Sequence, residues 1–354
     1  MMNKKKIAVL FGGMSPEYPV SLESAAAVLE QLDRSRYLPL MIGISREGSW
    51  FCYEGDIPSI REDNWLRKEV CRPALLSPSR RDQGFLIFRE TETEHCRPDA
   101  ILPILHGQNG EDGTIQGLAA LAGIPLIGCN VLSSALCMDK YRAHLLAKAA
   151  GVAVPRSRLF TRSECRDHPE EAAAFAEETG FPVFVKPLRA GSSFGITRAA
   201  SPSELSGAFN LAFRYDSQVL AEEFIAGFEV GCAVLGRENL LAGAVDEIQL
   251  SEGFFDFTEK YTLKTSSIHV PARITPSKAE EIRETARKLN RLFDCSRFSR
   301  VDLFLTPEGR IVLNEINTIP GFTEHSRYPG MMKAAGLSFR ELLTRIIESE
   351  VNVV

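Results

Sequence analysis

Short apolar runs alternate with amphipathic stretches along most of this 354-residue chain, and that alternation constrains the fold more than any other feature. The run "KIAVLFGG" at 6–13 predicts a strand that ends in glycines. The stretch "SLESAAAVLEQLD" at 21–33 predicts a helix with Ser21 as its N-cap. Further strands are predicted at 37–45 and 99–105. Strands separated by helices are typical of α/β proteins, so we expect an α/β fold.

The length predicts two or three domains, because 354 residues exceed one small core. Boundaries are expected near Gly128 and Gly227, which gives an N-terminal α/β domain (1–127), a central domain (128–226) and a C-terminal domain (227–354). One helix is predicted over 133–151, and no order is predicted for 52–97. Residues 251–270 lack any period, and loops this long are usually functional lids or disordered.

Composition excludes several classes of protein. Apolar residues make up 44% and charged residues 25%, as in ordinary globular proteins, and a net charge of −5 gives no footprint for nucleic acid. The apolar run after the basic N-terminus is too short for a signal peptide, and no run approaches transmembrane length. Eight cysteines without a CxxC pair predict reduced thiols. We therefore expect a cytoplasmic protein without nucleic-acid or membrane partners.

The most informative segment is the predicted hairpin "SRVDLFLTPEGRIVLNEIN" at 299–317. A four-residue turn at 306–309 would set Arg300 opposite Glu315 and Asp302 opposite Leu313, with Glu315 on the face of Leu313. Two interpretations remain open. One is an ion-pair cluster on the surface, which contributes little. The other is a magnesium-polyphosphate site in which Asp302, Glu315 and Asn317 supply oxygen ligands and Arg300 stabilises an oxyanion.

Phosphate-binding motifs of the common kinds are absent: the chain has neither GxxxxGK[ST] nor GxGxxG. It does have "FVKPLRAGSSFG" at 184–195, in which Lys186 ends a strand before a small, flexible loop. Lys186 could meet a phosphate as a point charge, the amides of 190–195 could cover the γ-phosphate, and Lys140 is a second candidate cation. The alternative is that these lysines are merely solvated.

Seven segments together resemble the ATP-grasp superfamily and, within it, the D-alanine–D-alanine ligase family. In chain order they are "FGGMSPEYPVSLESA", "LHGQNGEDGTIQG", "MDK", "VKPLRAGSSFG", "EKY", "SRVD" and "NEINTIPGFTEHS". The likeness is greatest to the D-alanine–D-serine ligases of the VanG type. It implies three domains: an N-terminal domain with a parallel sheet, and central and C-terminal ATP-grasp domains that clamp ATP between them, with 251–270 as the lid.

The resemblance also implies a reaction. ATP phosphorylates the carboxylate of D-alanine, and the amine of a second substrate attacks the resulting D-alanyl phosphate. Two Mg²⁺ ions assist, with Mn²⁺ as a possible substitute. The dipeptide serves peptidoglycan precursor synthesis and vancomycin resistance, and similar ligases are homodimers.

Roles carried over from the family fall into four sets. The catalytic set is Glu17, Ser192, Tyr261, Arg300 and the Gly321 amide. The ATP-binding set is Lys140, Lys186, Ser193, Glu222, Phe224, Ile225, Glu229, Lys260 and Phe304. The metal ligands are Asp302, Glu315 and Asn317. The substrate pocket is lined by His106, Asp246, Phe255, Ser326 and Arg327.

The second substrate depends on Arg327. Arginine can donate a hydrogen bond to a hydroxyl, which D-serine has and D-alanine lacks, so the resemblance implies D-serine. We expect Asp246 to steady Arg327 and Phe255 to narrow the cavity. The segment "EKYTLKTSS" at 259–267 has no histidine, whereas the resemblance implies one there in D-lactate ligases, which argues against D-lactate. The alternatives are that Arg327 braces its own loop, that the enzyme is a housekeeping D-alanine–D-alanine ligase, or that the chain is an inactive ATP-grasp protein that only binds nucleotide.

Overall fold

The computed structural model describes residues 4–191, 194–250 and 266–351. Within these ranges the strands form three sheets, of seven, four and five strands, and helices pack between and around them. All eight cysteines are free thiols, as predicted. In the same ranges no helix is both long and apolar enough to cross a bilayer.

The N-terminal sheet has the order β6-β5-β4-β3-β2-β1-β7. Its strands are β1 (Lys5–Gly12), β2 (Tyr37–Ile44), β3 (Trp50–Tyr53), β4 (Cys71–Leu76), β5 (Phe85–Phe88), β6 (Thr93–Cys96) and β7 (Ala100–Pro103), and its helices are α1 (Tyr18–Gln31), α2 (Ile57–Arg61) and α3 (Thr114–Ala122). Of the pairs between these strands, β1–β2 and β1–β7 are parallel and the other four are antiparallel. The predicted parallel sheet is therefore mixed, because most of the antiparallel strands come from 52–97, where the sequence pattern predicted no order.

Helix α1 begins earlier than predicted, since Glu17 rather than Ser21 is its N-cap. Ser21 is buried inside the helix. Its hydroxyl accepts a hydrogen bond from the Gly12 amide over 2.8 Å and donates to the Ile104 carbonyl. The serine thus joins the ends of two neighbouring parallel strands, and Glu17 lies at the same edge of the sheet, where ligands gather in α/β folds.

The central sheet has the order β10-β9-β11-β8 and is antiparallel throughout. Its elements are β8 (Ser157–Thr161), α6 (Arg162–Asp167), α7 (Pro169–Thr179), β9 (Val183–Pro187), β10 (Thr197–Ala199), α8 (Pro202–Ala212) and β11 (Gln218–Glu223).

The helix predicted over 133–151 is in fact two helices, α4 (Val131–Met138) and α5 (Lys140–Ala149). Asp139 separates them: its backbone is extended, and its carboxylate caps α5 by accepting the Arg142 amide over 3.0 Å. Aspartate favours this capping position over a helix interior. The break makes Lys140 the first residue of α5. Both helices contribute to the core beneath the C-terminal sheet.

The C-terminal sheet has the order β14-β13-β12-β15-β16 and is also antiparallel. Its elements are β12 (Phe228–Gly236), β13 (Leu241–Leu250), β14 (Ser266–His269), α9 (Pro276–Leu292), β15 (Arg297–Leu305), β16 (Ile311–Asn317), α10 (Arg327–Ala334) and α11 (Phe339–Val351). The end of the predicted lid is thus an edge strand, β14, and 251–265 lie outside the described residues.

The register of β15 and β16 differs from the predicted one by two residues at the site. Arg300 lies opposite Asn317, and Asp302 lies opposite Glu315. Part of the shift comes from the connection, which spans 306–310, five residues rather than four.

A β-bulge supplies the rest of the shift. Asp302 pairs with Glu315 and the next residue, Leu303, pairs with Leu313, which leaves Asn314 without a partner across the two strands. A bulge reverses the alternation of side chains beyond it. Leu313 and Leu303 therefore both enter the apolar core, whereas Glu315 shares a face with Asp302. The prediction that Leu313 and Glu315 share one face was wrong for this reason.

One apolar core joins the first and last parts of the chain. It contains side chains of β1 and α1 together with Phe298, Phe322 and residues of α10 and α11. The C-terminal sheet is therefore held against the edge of the N-terminal sheet where Glu17 lies. The domain boundaries at 127/128 and 226/227 stay predictions.

Candidate active site

Two cavities meet at the edges of the three sheets. The smaller has a volume of about 230 Å³ and lies between the N-terminal and C-terminal sheets. The larger, about 640 Å³, lies between the central and C-terminal sheets. Lys140, Ala190 and Glu315 line both cavities. Groups bound in the two cavities would therefore meet at these three residues.

The predicted site residues divide between the cavities. The smaller is lined by Glu17, His106, Lys140, Arg300, Glu315, Asn317, Gly321, Ser326 and Arg327. The larger is lined by Lys140, Lys186, Glu222, Phe224, Ile225, Glu229, Phe304 and Glu315. Asp246 and Asp302 are buried beneath this surface, 0% and 1% exposed. Five predicted residues lie outside the described ranges: Ser192, Ser193, Phe255, Lys260 and Tyr261.

Glycines from two segments accommodate the Glu17 carboxylate. A Cβ atom on Gly107 would lie 2.2 Å from Glu17 Oε2, and one on Gly191 would lie 2.4 Å from the same oxygen. Gly107 also has a φ of +72°, which favours glycine. Any larger residue at either position would displace the carboxylate from the wall of the smaller cavity.

Glu111 is a cavity residue that the candidate set omitted. Its Oε1 accepts the Ile319 amide and its Oε2 accepts the Gly107 amide, each over 2.9 Å. Burial, with the nearby Glu17 charge, raises the pKa of Glu111 far above its ordinary value. Its signal in the sequence was an acidic residue within the glycine-rich loop "GQNGEDG" that follows a strand.

His106 supports the loop that carries Gly321. Its Nδ1 lies 2.9 Å from the Ile319 carbonyl, which only accepts, so Nδ1 carries the proton. Its Nε2 then accepts the Ser24 hydroxyl over 3.0 Å, and Ser24 Oγ accepts the Phe322 amide over 3.3 Å. Burial lowers the pKa of His106 to about 4. The imidazole is thus neutral and connects three segments.

A row of directly opposed residues crosses the C-terminal sheet. Asp246 on β13 lies opposite Gly231 on β12, which lies opposite Asp302 on β15, which lies opposite Glu315 on β16. A Cβ atom on Gly231 would lie 2.4 Å from Arg327 Nη2. The glycine therefore leaves room for the arginine above the row, and the candidate set omitted this role.

Arg327 is bound by carboxylates on three sides. Its Nε and Nη2 donate to Asp246 over 2.7 and 2.9 Å, and its Nη1 donates to Glu229 over 2.7 Å. Nη1 also lies 3.3 Å from Asp302 Oδ1. Burial disfavours the charged guanidinium, but Asp246, Asp302 and Glu229 outweigh it and raise the pKa of Arg327. The expected contact with Asp246 is present, and the Glu229 contact adds a second carboxylate to it.

Both oxygens of the Asp302 carboxylate accept hydrogen bonds from neighbouring side chains, those of Arg300 and Asn317. Arg300 donates from Nε to Oδ1 over 2.8 Å and from Nη2 to Oδ2 over 2.7 Å, while Asn317 Nδ2 donates to Oδ2 over 2.8 Å. Across the part of the chain that the structure describes, no three His, Cys, Asp or Glu residues are grouped as a metal site. The predicted set nevertheless fits Mg²⁺, which takes one or two carboxylates and completes its shell with phosphate oxygens and water.

Charged side chains also line the larger cavity. Lys186 forms an ion pair with Glu222 Oε2. Burial opposes ionisation of Glu222, but the charges of Lys186 and Lys140 outweigh it and lower the pKa of Glu222. Lys140 Nζ donates to the Ala190 carbonyl over 2.9 Å and lies 4.0 Å from Glu315 Oε2. Both predicted phosphate-binding lysines thus face acidic groups at the cavity wall.

The architecture of three sheets matches the ATP-grasp fold of D-alanine–D-alanine ligase structures. Residues 6–129 match the family model for the D-ala D-ala ligase N-terminus, and residues 146–348 match that for the D-ala D-ala ligase C-terminus. The chain belongs to the D-alanine–D-alanine ligase family, whose members are ATP-dependent ligases that form D-amino-acid dipeptides.

Individual relatives are similar over nearly the whole chain. The crystal structure of the VanG D-Ala:D-Ser ligase from Enterococcus faecalis superposes with a TM-score of 0.90 at 50% identity, covering 98% of this chain and 99% of that one. The vancomycin C-type resistance protein VanC1 of Enterococcus gallinarum is 45% identical over 97% of both chains. A putative D-alanine–D-lactate ligase of Streptomyces coelicolor is 42% identical, covering 98% of this chain and 97% of that one.

Proposed function

We propose that this protein is a D-alanine–D-serine ligase that uses ATP and Mg²⁺, and that its product enters peptidoglycan precursors and confers vancomycin resistance. One observation carries the proposal: Lys140 and Glu315 line both the large cavity and the small one. A nucleotide in the large cavity would end at these residues, and a carboxylate substrate in the small cavity would begin there. Phosphoryl transfer requires that contact.

The large cavity suits the nucleotide. Glu222 and Glu229 offer carboxylates to adenine and ribose, with Phe224, Ile225 and Phe304 beside them. Lys140 and Lys186 offer cations to the phosphates, as lysines commonly do. Asp302, Glu315 and Asn317 would hold the metal. When bound, Mg²⁺ neutralises phosphate charge during transfer.

The small cavity suits D-alanine. The Glu17 carboxylate would bind the ammonium group of D-alanine. The carboxylate of D-alanine would then face Arg300, Glu315 and Lys140. ATP transfers its γ-phosphoryl group to that carboxylate. The amine of the second substrate then attacks the acyl carbon, and phosphate leaves with the electron pair of the C–O bond and takes up the proton that the amine loses. Arg300 and the Gly321 amide would stabilise the tetrahedral oxyanion.

Arg327 supports D-serine as the second substrate. It lines the small cavity, and the carboxylates of Asp246 and Glu229 fix its position. A guanidinium has five N–H groups, and four contacts join Arg327 to carboxylate oxygens. Three of these contacts are hydrogen bonds, so two N–H groups remain, among the described contacts, and one of them can donate to the D-serine hydroxyl. A donor buried for that purpose is left unpaired by D-alanine.

The decisive experiment incubates purified protein with ATP, Mg²⁺ and equal D-alanine and D-serine, and identifies dipeptides by mass. We expect D-alanyl-D-serine to predominate. D-alanyl-D-alanine as the main product would indicate the housekeeping ligase. D-alanyl-D-lactate formed from added D-lactate would indicate a D-alanine–D-lactate ligase. Nucleotide binding without amino-acid-dependent phosphate release would indicate an inactive ATP-grasp protein. The proposal also includes a homodimer in the cytoplasm. Sedimentation of the native protein tests whether it is a dimer.

A further inference from the structure

His144 lies at the junction of the two cavities without lining either. It follows Lys140 by one turn of α5, so both side chains lie on the same face of the helix. Both are buried, Lys140 7% and His144 3% exposed. Lys140 approaches Glu315, whereas His144 passes beneath it to the neighbouring residue, Asn314. The imidazole therefore supports the wall that the two cavities share.

The hydrogen bond of His144 to Asn314 has a definite direction. His144 Nε2 lies 3.0 Å from the Asn314 carbonyl oxygen. A carbonyl only accepts, so Nε2 carries the proton and donates it. Asn314 is the bulge residue, which has no partner across the strand pair β15–β16. The histidine thus supplies a donor to the one residue of this segment that the ladder skips.

The bulge determines where Glu315 points. Without it, Glu315 would share the face of Leu313, which is fully buried in the apolar core. With it, Glu315 faces the cavities opposite Asp302. A donor that holds Asn314 in place therefore also holds the orientation of the Glu315 carboxylate.

The second nitrogen of His144 faces the nucleotide side. Nδ1 lies 3.4 Å from Glu222 Oε1, while Lys186 pairs with the other oxygen of Glu222. Among the described residues neither Nδ1 nor Oε1 has a hydrogen-bond partner, although both atoms are buried. With the proton on Nε2, two lone pairs face each other, which costs free energy. The contact of Nδ1 with Glu222 is therefore unfavourable, and the hydrogen bond of Nε2 to the bulge residue Asn314 offsets it.

We propose that His144 is a positioning residue: its Nε2–H fixes the bulge at Asn314 and so orients Glu315 toward the bound metal–nucleotide. The inference rests on the proposed function, because it concerns the same phosphoryl-transfer site. His144 lines neither cavity, and the atom of its side chain on which the site would depend is Nε2.

Three substitutions separate the two nitrogens. In His144→Gln the amide nitrogen lies near the position of Nε2 and can still donate to Asn314. In His144→Asn the shorter amide lies near the position of Nδ1 and faces Glu222 instead. His144→Leu removes both polar contacts at similar volume. Urea unfolding of each variant reports its stability separately from its activity.

The first readout is the dipeptide assay across a range of Mg²⁺ concentrations. We expect His144→Leu and His144→Asn to lower kcat and to raise the Mg²⁺ concentration for half-maximal rate, each by about three- to tenfold, the loss typical of one net hydrogen bond. His144→Gln should stay within about twofold of the parent. The KM for D-alanine should change in none of them. A merely structural role would lower stability but leave the Mg²⁺ dependence per folded enzyme unchanged.

The second readout is the affinity for ADP with and without Mg²⁺, measured by calorimetry, which requires no turnover. We expect His144→Leu to weaken Mg²⁺-dependent binding more than metal-free binding, and His144→Gln to restore it. The proposal is overturned if the glutamine variant is as impaired as the leucine variant, or if all three match the parent. Failure of the parent to make any dipeptide would reject the proposed function, while the ADP titrations would still decide the role of His144.

Discussion

Arg327 donates two hydrogen bonds to Asp246, from Nε and Nη2 over 2.7 and 2.9 Å, and both side chains are buried. The pairing is bidentate, the geometry that fixes a guanidinium plane most firmly. Arg327 can therefore both support its own loop and recognise the second substrate, because a donor that is already fixed loses little conformational freedom when a hydroxyl binds.

Replacing Arg327 by leucine should change the choice of second substrate. We expect Arg327→Leu to shift the ratio of D-alanyl-D-serine to D-alanyl-D-alanine toward D-alanine by about tenfold, since the hydroxyl loses its donor. Competition with both amino acids, read by mass, measures the ratio.

The same substitution also leaves the Asp246 carboxylate buried without its partner. Breaking a buried pair costs about 3–5 kcal/mol, so the single variant should unfold at a lower urea concentration. The double variant Arg327→Leu/Asp246→Asn removes both charges and should recover part of that loss. An unchanged product ratio in the folded double variant would refute the role of Arg327 in specificity.

Glu111 should make stability fall as the pH rises. Its pKa is raised in the folded protein to about 8 from an ordinary value of 4.5, so between these values the native state holds a proton that the unfolded state lacks. The contribution is complete below pH 4.5 and lost as the pH rises through about 8. Because the carboxyl borders a cavity, we expect a change of about 2–4 kcal/mol rather than the full shift.

Urea unfolding of the parent and of Glu111→Gln from pH 5 to pH 9 measures this effect. The neutral glutamine lacks the titration, so the stability difference between the two proteins should shift in favour of the variant as the pH rises. Parallel pH curves for the two proteins would contradict the raised pKa.

His106 should produce the opposite dependence. Its folded pKa of about 4 lies below the ordinary 6.5, so the unfolded state takes up a proton first. Stability is complete above pH 6.5 and falls by about 3 kcal/mol as the pH drops through about 4. His106→Asn, which can keep the donor to the Ile319 carbonyl, should flatten that acid limb in thermal or urea unfolding. An acid limb as steep in the variant as in the parent would show that another group causes it.

Gly191 should tolerate no side chain. A Cβ atom would lie 2.4 Å from Glu17 Oε2, so Gly191→Ala should displace the carboxylate and raise the KM for the first D-alanine by about tenfold or more. The matched control is Gly207→Ala in α8, where a Cβ atom meets nothing within 4 Å. The control should leave kinetics unchanged and stabilise the helix by about 0.5–1 kcal/mol. Equal kinetics for the two variants would contradict the packing of Glu17.

Sequence patterns predicted those parts of the molecule that depend on local periodicity. Strands β1, β2 and β7 follow directly from it. The antiparallel strands between 71 and 96 were missed because they are short and lie in polar sequence, where period and burial give weak signals. The break at Asp139 was missed because helical propensity on both sides hid a cap.

Within the site, the resemblance assigned roles to Glu17, Arg300, Glu315 and Arg327, which line one cavity in the structure, but it could not give their register. Register depends on the bulge at Asn314, which one extra residue creates and no local pattern marks. Gly231 was missed for a related reason. Its importance lies in what stands above it, and that depends on contacts between strands far apart in the chain.

The row from Asp246 through Gly231 and Asp302 to Glu315 also sets the distance between the residues at its two ends. Neighbouring strands are about 4.8 Å apart, so three intervals place the backbones of Asp246 and Glu315 about 14 Å from each other. One end lies beside the arginine that would choose the second amino acid, and the other lies where phosphate and metal would sit. Hydrogen bonds between strands fix this spacing, and Arg327 lies 3.3 Å from Asp302 in the middle of the row. A substitution that changed specificity at the β13 end would therefore have to preserve the contact between Arg327 and Asp302 to keep the chemistry at the β16 end.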